Sequence, residues 1–156
     1  SVSNVICDAD TSCQYMKITS TTDALLSMNC TGIESCKYTN ISTAGAGLYC
    51  NGTRACAESD VANTDLLLNL TCVGFEACNN SSIVSHGDIL LDCNGNGTIA
   101  ESQCRGVQVN ELSLSATNTF LCGRNIDNNG NGSNACSGAM FNSLAKDIKL
   151  ECGTIG

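Results

Sequence analysis

Basic residues are scarce in this chain: seven Lys and Arg stand against fifteen Asp and Glu, a net charge of −8 over 156 residues. Nucleic-acid binding rests on Lys and Arg neutralising phosphates, and so few cations, scattered along the sequence, form no patch for it. Aromatic residues make up only 4%, without a tryptophan, less than a globular core usually carries. His86 is the only histidine, which leaves zinc sites short of a common ligand. No apolar run approaches the roughly 18 residues of a membrane-spanning helix. No clean run exceeds the three residues of Leu66-Leu67-Leu68.

What the chain has in quantity is cysteine: 13 residues, about 8%. That density is typical of disulfide scaffolds in oxidising compartments, so a secreted or cell-surface protein is expected. The cysteines recur as a device, two of them five residues apart with glycine third. It stands as Cys30-Thr31-Gly32 to Cys36, Cys50-Asn51-Gly52 to Cys56 and Cys72-Val73-Gly74 to Cys78, and as Cys7 to Cys13 with Ala9 in place of glycine. Cys93 to Cys104 and Cys122 to Cys136 keep the cysteines but stretch the loop with Asn and Gly, and a seventh copy opens at Cys152-Gly153.

The leading cysteines are 23, 20, 22, 21, 29 and 30 residues apart, a period that indicates stacked repeats. Five residues after each second cysteine stands an apolar residue: Ile18, Ile41, Val61, Ile83, Val109, Phe141. Two before the next leading cysteine stands another: Met28, Leu48, Leu70, Leu91, Phe120, Leu150. Four before it the pattern repeats in Leu26, Ala46, Leu68, Ile89 and Ile148, with Asn118 the exception. Offsets of two mark strands. The pattern predicts an all-β fold, a parallel β-helix (β-solenoid) of six to seven coils of 20–30 residues, starting near Cys7, Cys30, Cys50, Cys72, Cys93, Cys122 and Cys152. A solenoid uses residues 1–156 as one domain, and its inward positions form ladders that only stacking buries.

Pairing does not follow from sequence alone. The economical arrangement is a bridge within each device: Cys7–Cys13, Cys30–Cys36, Cys50–Cys56, Cys72–Cys78, Cys93–Cys104 and Cys122–Cys136. Strand spacing also permits bridges between successive coils. The thirteenth cysteine, Cys152, is left unpaired or pairs outside this chain. Zinc sites ask for Cys pairs two to four residues apart, and these gaps are five or more, so no metal is expected.

Eight asparagines begin Asn-x-Ser/Thr without proline: Asn29, Asn40, Asn51, Asn69, Asn79, Asn80, Asn96 and Asn131, the acceptor signal for N-glycosylation. Asn79 and Asn80 overlap, and one acceptor, Asn80, is expected there. Asp127, Asn129, Asn131 and Gly132 match the opening of a calcium loop, but its twelfth position, normally a bidentate Glu, is Gly138. An Asn/Gly turn is the expectation and calcium is not; N-linked glycans are the only added groups expected. The chain opens at Ser1 without Met, Val5 already occupies an inward position before Cys7, and Cys152-Gly153 begins a coil. A leader already removed and uncapped ends are therefore expected.

The Cys-x-Gly-x-x-x-Cys repeat followed by apolar residues at strand spacing resembles the cysteine-rich parallel β-helix repeats of secreted and surface glycoproteins of unicellular eukaryotes. The resemblance runs from Val5 to Gly153 and implies architecture, since such solenoids host many functions. Glycoside hydrolases on this fold resemble one another in clustered aspartates, a Gly-His-Gly turn and an Arg-x-Lys pair. Here Asn63-Thr64-Asp65 and His86-Gly87-Asp88 look like parts of that set, but there is no Asp-Asp pair or Arg-x-Lys, and Ser85 precedes the histidine. No outward position holds threonine in most coils, which argues against an ice-binding face.

The function expected is therefore non-enzymatic: a structural subunit of an extracellular glycosylated filament, appendage or coat, built by head-to-tail self-association of open coils, without nucleic acid or membrane span. The alternative is a carbohydrate-binding or adhesive surface domain. It needs an exposed aromatic platform from Tyr15, Tyr38, Tyr49, Phe75, Phe120 and Phe141, the last two of which are assigned inward.

Overall fold

The computed structural model describes residues 2–20, 25–93, 103–123 and 135–152. Their strands are, in chain order, β1 (Val2–Cys7), β2 (Lys17–Thr19), β3 (Leu25–Cys30), β4 (Asn40–Thr43), β5 (Gly45–Cys50), β6 (Asp60–Asn63), β7 (Leu68–Cys72), β8 (Ser82–Ser85), β9 (Ile89–Cys93), β10 (Gln108–Glu111), β11 (Thr117–Cys122), β12 (Met140–Ser143) and β13 (Asp147–Cys152). Odd-numbered strands form one seven-stranded parallel sheet and even-numbered strands a six-stranded one. The expected all-β parallel solenoid is thus the fold. Register is constant: the leading cysteines lie over one another, as in Cys7↔Cys30, Cys30↔Cys50 and Cys50↔Cys72.

Both sheets turn their alternate residues inward because those residues are apolar. Leu26, Met28, Ala46, Leu48, Leu68, Leu70, Ile89, Leu91 and Phe120 come from one sheet, and Ile41, Val61, Ile83 and Val109 from the other; all are buried. The rings of Phe120 and Phe141 meet across the interior at 4.4 Å. The exception in the apolar ladder, Asn118, is also inward and fully buried. Its Oδ1 accepts from the N–H of Ile89 at 3.2 Å, and its Nδ2 donates to Ser143 Oγ at 2.9 Å. A polar residue is tolerated there because both ends of its amide are bonded.

The third wall is not a β-sheet. Around the second cysteine of each pair alternate residues have a positive φ, as at Glu34, Cys36 and Tyr38 (53°, 56° and 59°) and at Arg54, Cys56 and Glu58 (57°, 55° and 55°). A non-glycine residue in this region costs roughly 1–2 kcal/mol, so something must hold it there. The hold is a ladder of inter-coil hydrogen bonds. The second cysteine of each coil donates downward (Cys36 to Ser12, Cys56 to Ser35, Cys78 to Ala55, each 2.9 Å), while its neighbours two residues either side donate upward. Glu34 donates to Thr53 at 2.8 Å and Tyr38 to Ala57 at 3.1 Å. The rule survives the stretched loops: Cys104 donates to Ala77 at 2.9 Å and Cys136 to Gln103 at 3.1 Å. Extra residues before these cysteines therefore leave the stacking register unchanged.

The glycine of the device is explained by the same stacking. A Cβ on Gly32 would lie 2.3 Å from the Ala9 carbonyl oxygen, one on Gly52 2.2 Å from that of Gly32, and one on Gly74 2.3 Å from that of Gly52. Ala9 occupies the equivalent place in the first coil described, with no described coil beneath it.

Candidate functional site: disulfide wall, outer faces and end coils

Six disulfides form, each within a coil: Cys7–Cys13, Cys30–Cys36, Cys50–Cys56, Cys72–Cys78, Cys93–Cys104 and Cys122–Cys136. Of the two arrangements that spacing allowed, the structure takes the local one. Each bridge clips the entry of the third wall to its centre. Bridges stack closely enough that the sulfurs of Cys30, Cys36 and Cys56, and those of Cys72, Cys93 and Cys104, lie within 4.8 Å of one another. Zinc needs thiolates, and these sulfurs are oxidised, so the clusters are stacked bridges. Cys152 lies in register with Cys122 through its backbone.

Outside the bridges, the third wall carries a charge ladder. Glu34, Arg54 and Glu76 stack in consecutive coils, with Arg54 Nε 2.8 Å from Glu76 and Nη1 3.5 Å from Glu34. Lys37 Nζ lies 3.1 Å from Glu34 and 4.8 Å from the centre of the Tyr38 ring, and Tyr38 stacks on Tyr15 at 5.0 Å. The hydrogen bond from Lys37 holds the Glu34 carboxyl below its ordinary value; burial opposes it and the Lys37 and Arg54 charges add to it. Because the folded value is depressed, this ionisation favours folding above the unfolded pKa, and the benefit is lost as pH falls through the folded one. Carbon-13 NMR should show Glu34 titrating below an ordinary glutamate in the native protein and returning toward it in Lys37→Met; an unchanged midpoint would contradict the assignment.

The catalytic candidates have structural partners. Asp88 Oδ1 accepts from the N–H of Thr117 at 2.8 Å, closing the turn of the next coil. Gly87 is needed because a Cβ there would lie 2.2 Å from the carbonyl oxygen of Asp65, and the N–H of His86 donates to Asn63 O at 2.9 Å. The buried carboxylate of this region, Glu111, receives Ser143 Oγ at 3.2 Å and the N–H of Ser113. Sequence patterning did not single it out, although it stands in register with Asn63 and Ser85 at the inward end of its strand.

Among the acceptor asparagines, Asn29, Asn40, Asn51 and Asn80 are exposed, while Asn69 and Asn79 are half-buried. Asn96, Asn131 and the calcium-like positions Asp127 and Asn129 lie outside the described residues. Tyr15 is 72% exposed, Tyr38, Tyr49 and Phe75 are less so, and Phe120 is buried. At the last coil the inward ladder of β13 is exposed: Ile148 is 55% and Leu150 52% exposed.

These features define the chain as a cysteine-rich parallel β-solenoid whose bridges belong to an oxidising environment. Among the described residues no helix is long and apolar enough to cross a membrane. No protein-family model, curated protein or solved structure matches the chain.

Proposed function

We propose that this chain is a structural subunit of an extracellular, N-glycosylated filament, appendage or coat, assembled by stacking solenoid ends. The observation that carries this reading is the uncovered ladder on β13, where Ile148 and Leu150 face the position a further coil would take. The end strands β13 and β1 are both six residues long and both close on a cysteine. Stacking them in the register used throughout the rod sets Cys7 over Cys152 and Val5 over Leu150, and brings β2 over β12 with Ile18 over Phe141. The contact is head-to-tail and does not close on itself, so it propagates. Glycans on outward asparagines, Asn80 rather than Asn79 in the overlapping pair, would sheath the flanks without entering the junction.

Electron microscopy of the purified native protein tests this. Fibres whose long axis runs along the stacking direction of the coils, about 4.8 Å per strand, are expected. Discrete particles at all concentrations would overturn the assembly and move surface adhesion forward.

A further inference from the structure

The outer face of the seven-stranded sheet is dented at Gly47. Six outward residues on β3, β5 and β7 surround the dent in two rows, Ser27, Gly47 and Asn69 in one and Asn29, Tyr49 and Thr71 in the other. A Cβ on Gly47 would meet nothing within 4 Å, so the absent side chain is what opens the concavity, a shallow space of about 360 Å³. Strands about 4.8 Å apart and rows two residues apart give a footprint of roughly 10 by 7 Å, the size of one sugar ring with its substituents.

The chemistry of the lining is specific. None of the six residues is charged, so neither an anion nor a cation is selected. Two amides and three hydroxyls offer both donors and acceptors. Asn69 Oδ1 is buried with no hydrogen-bond partner, an uncompensated cost that a ligand donor would remove. No hydrogen bond among the described residues uses the side chains of Ser27, Asn29, Tyr49 or Thr71. The Tyr49 ring, 40% exposed, walls one side with an apolar face. A peptide strand finds no purchase, because the backbone of β5 is paired on both sides, with β3 and β7.

We propose that this dent is a seat for a neutral pyranose. The apolar C–H face of the sugar lies against Tyr49, its ring fills the space over Gly47, and Asn69 Oδ1 accepts from a hydroxyl or acetamido N–H. Two sources supply such a ring: the first sugar of the chain's own glycan on Asn29 or Asn69, both of which begin acceptor triplets, or a separate polysaccharide. The inference is independent of end-to-end assembly.

The test uses the secreted, glycosylated protein and the same chain produced without glycans in an oxidising bacterial periplasm, so that Asn29 and Asn69 stay in place, each with and without Gly47→Val or Tyr49→Ala. Gly47→Val points into open space and fills the dent without touching the core, so it folds. If the seat holds the chain's own sugar, both variants lower the melting temperature of the glycosylated protein by several degrees and leave that of the unglycosylated protein unchanged. If it holds a separate saccharide, the unglycosylated protein binds tri-N-acetylchitotriose in solution with a Kd in the order of millimolar, and either variant weakens that binding about tenfold. A melting temperature insensitive to both variants, together with no saccharide binding, would overturn the proposal.

Discussion

Reduction of the six disulfides is expected to unfold the protein under conditions in which the oxidised form is fully native. Four bridges close a sequence separation of 6 and the others close 11 and 14. In the chain-entropy model loops of this size contribute about 2.4–3 kcal/mol each. Six of them come to on the order of 15 kcal/mol before native strain is subtracted, as much as the whole net stability of an ordinary domain, about 5–15 kcal/mol. The interior cannot replace that. It is one layer of aliphatic side chains between two narrow sheets, with Phe120 as its only fully buried aromatic. The third wall depends on the bridges doubly, since the second cysteine of each pair sits at positive φ and, from Cys36 onward, supplies the downward hydrogen bond.

Circular dichroism after dithiothreitol treatment and alkylation at neutral pH should show loss of the sheet signal and of any cooperative melt. Partial reduction should open Cys7–Cys13 and Cys122–Cys136 first, because Cys13 and Cys136 are half-buried whereas Cys30, Cys36, Cys72, Cys78, Cys93 and Cys104 are fully buried. A reduced, alkylated chain that kept its spectrum and melted cooperatively would show that the sheets alone suffice.

Two of the three walls were legible in the sequence, and physics explains why. A strand that buries one face writes its geometry into side chains at period two, so Ile41, Val61 and Ile83, or Met28, Leu48 and Leu70, announce both the strand and its inward side. The third wall writes almost nothing. Its shape lives in alternating φ angles and backbone hydrogen bonds, which Thr11, Glu34, Arg54 and Glu76 serve equally well despite their different side chains. Its sequence traces besides the cysteines are the glycine of the device, Gly32, Gly52 and Gly74, and the small residue before the second cysteine in most coils, Ser12, Ser35, Ala55, Ala77 and Ala135.

Asn118 and Glu111 were obscure for a different reason. A buried polar residue is legible only with its partners, and theirs, Ile89 and Ser143, lie 29 and 32 residues away. The dent at Gly47 is a position where nothing projects, and its significance depends on Tyr49, two residues on along β5, and on Asn69, which only the register of β5 with β7 brings beside it.

Gly52→Ala is expected to destabilise the protein by about 2–4 kcal/mol, while the chemically opposite change Ala9→Gly costs about 1 kcal/mol or less. The added methyl of Gly52→Ala would lie 2.2 Å from the Gly32 carbonyl oxygen and 2.8 Å from its carbonyl carbon. Those atoms are backbone, held by the Cys30–Cys36 bridge and by inter-coil bonds such as Cys36 to Ser12, so no side chain can swing aside. Relief requires lifting one coil from the next. That lift stretches the upward bond from Glu34 to Thr53 and the downward bond from Cys56 to Ser35 at once. Ala9 has no described coil under it, so removing its methyl relieves nothing and adds only the greater freedom of glycine in the unfolded chain. Thermal melts of the two variants separate backbone contact from glycine propensity. A fall of roughly 10 °C for Gly52→Ala with little change for Ala9→Gly supports the contact. Equal and small shifts in both would mean that the turns are not packed at this distance, and that the glycine serves the local turn alone.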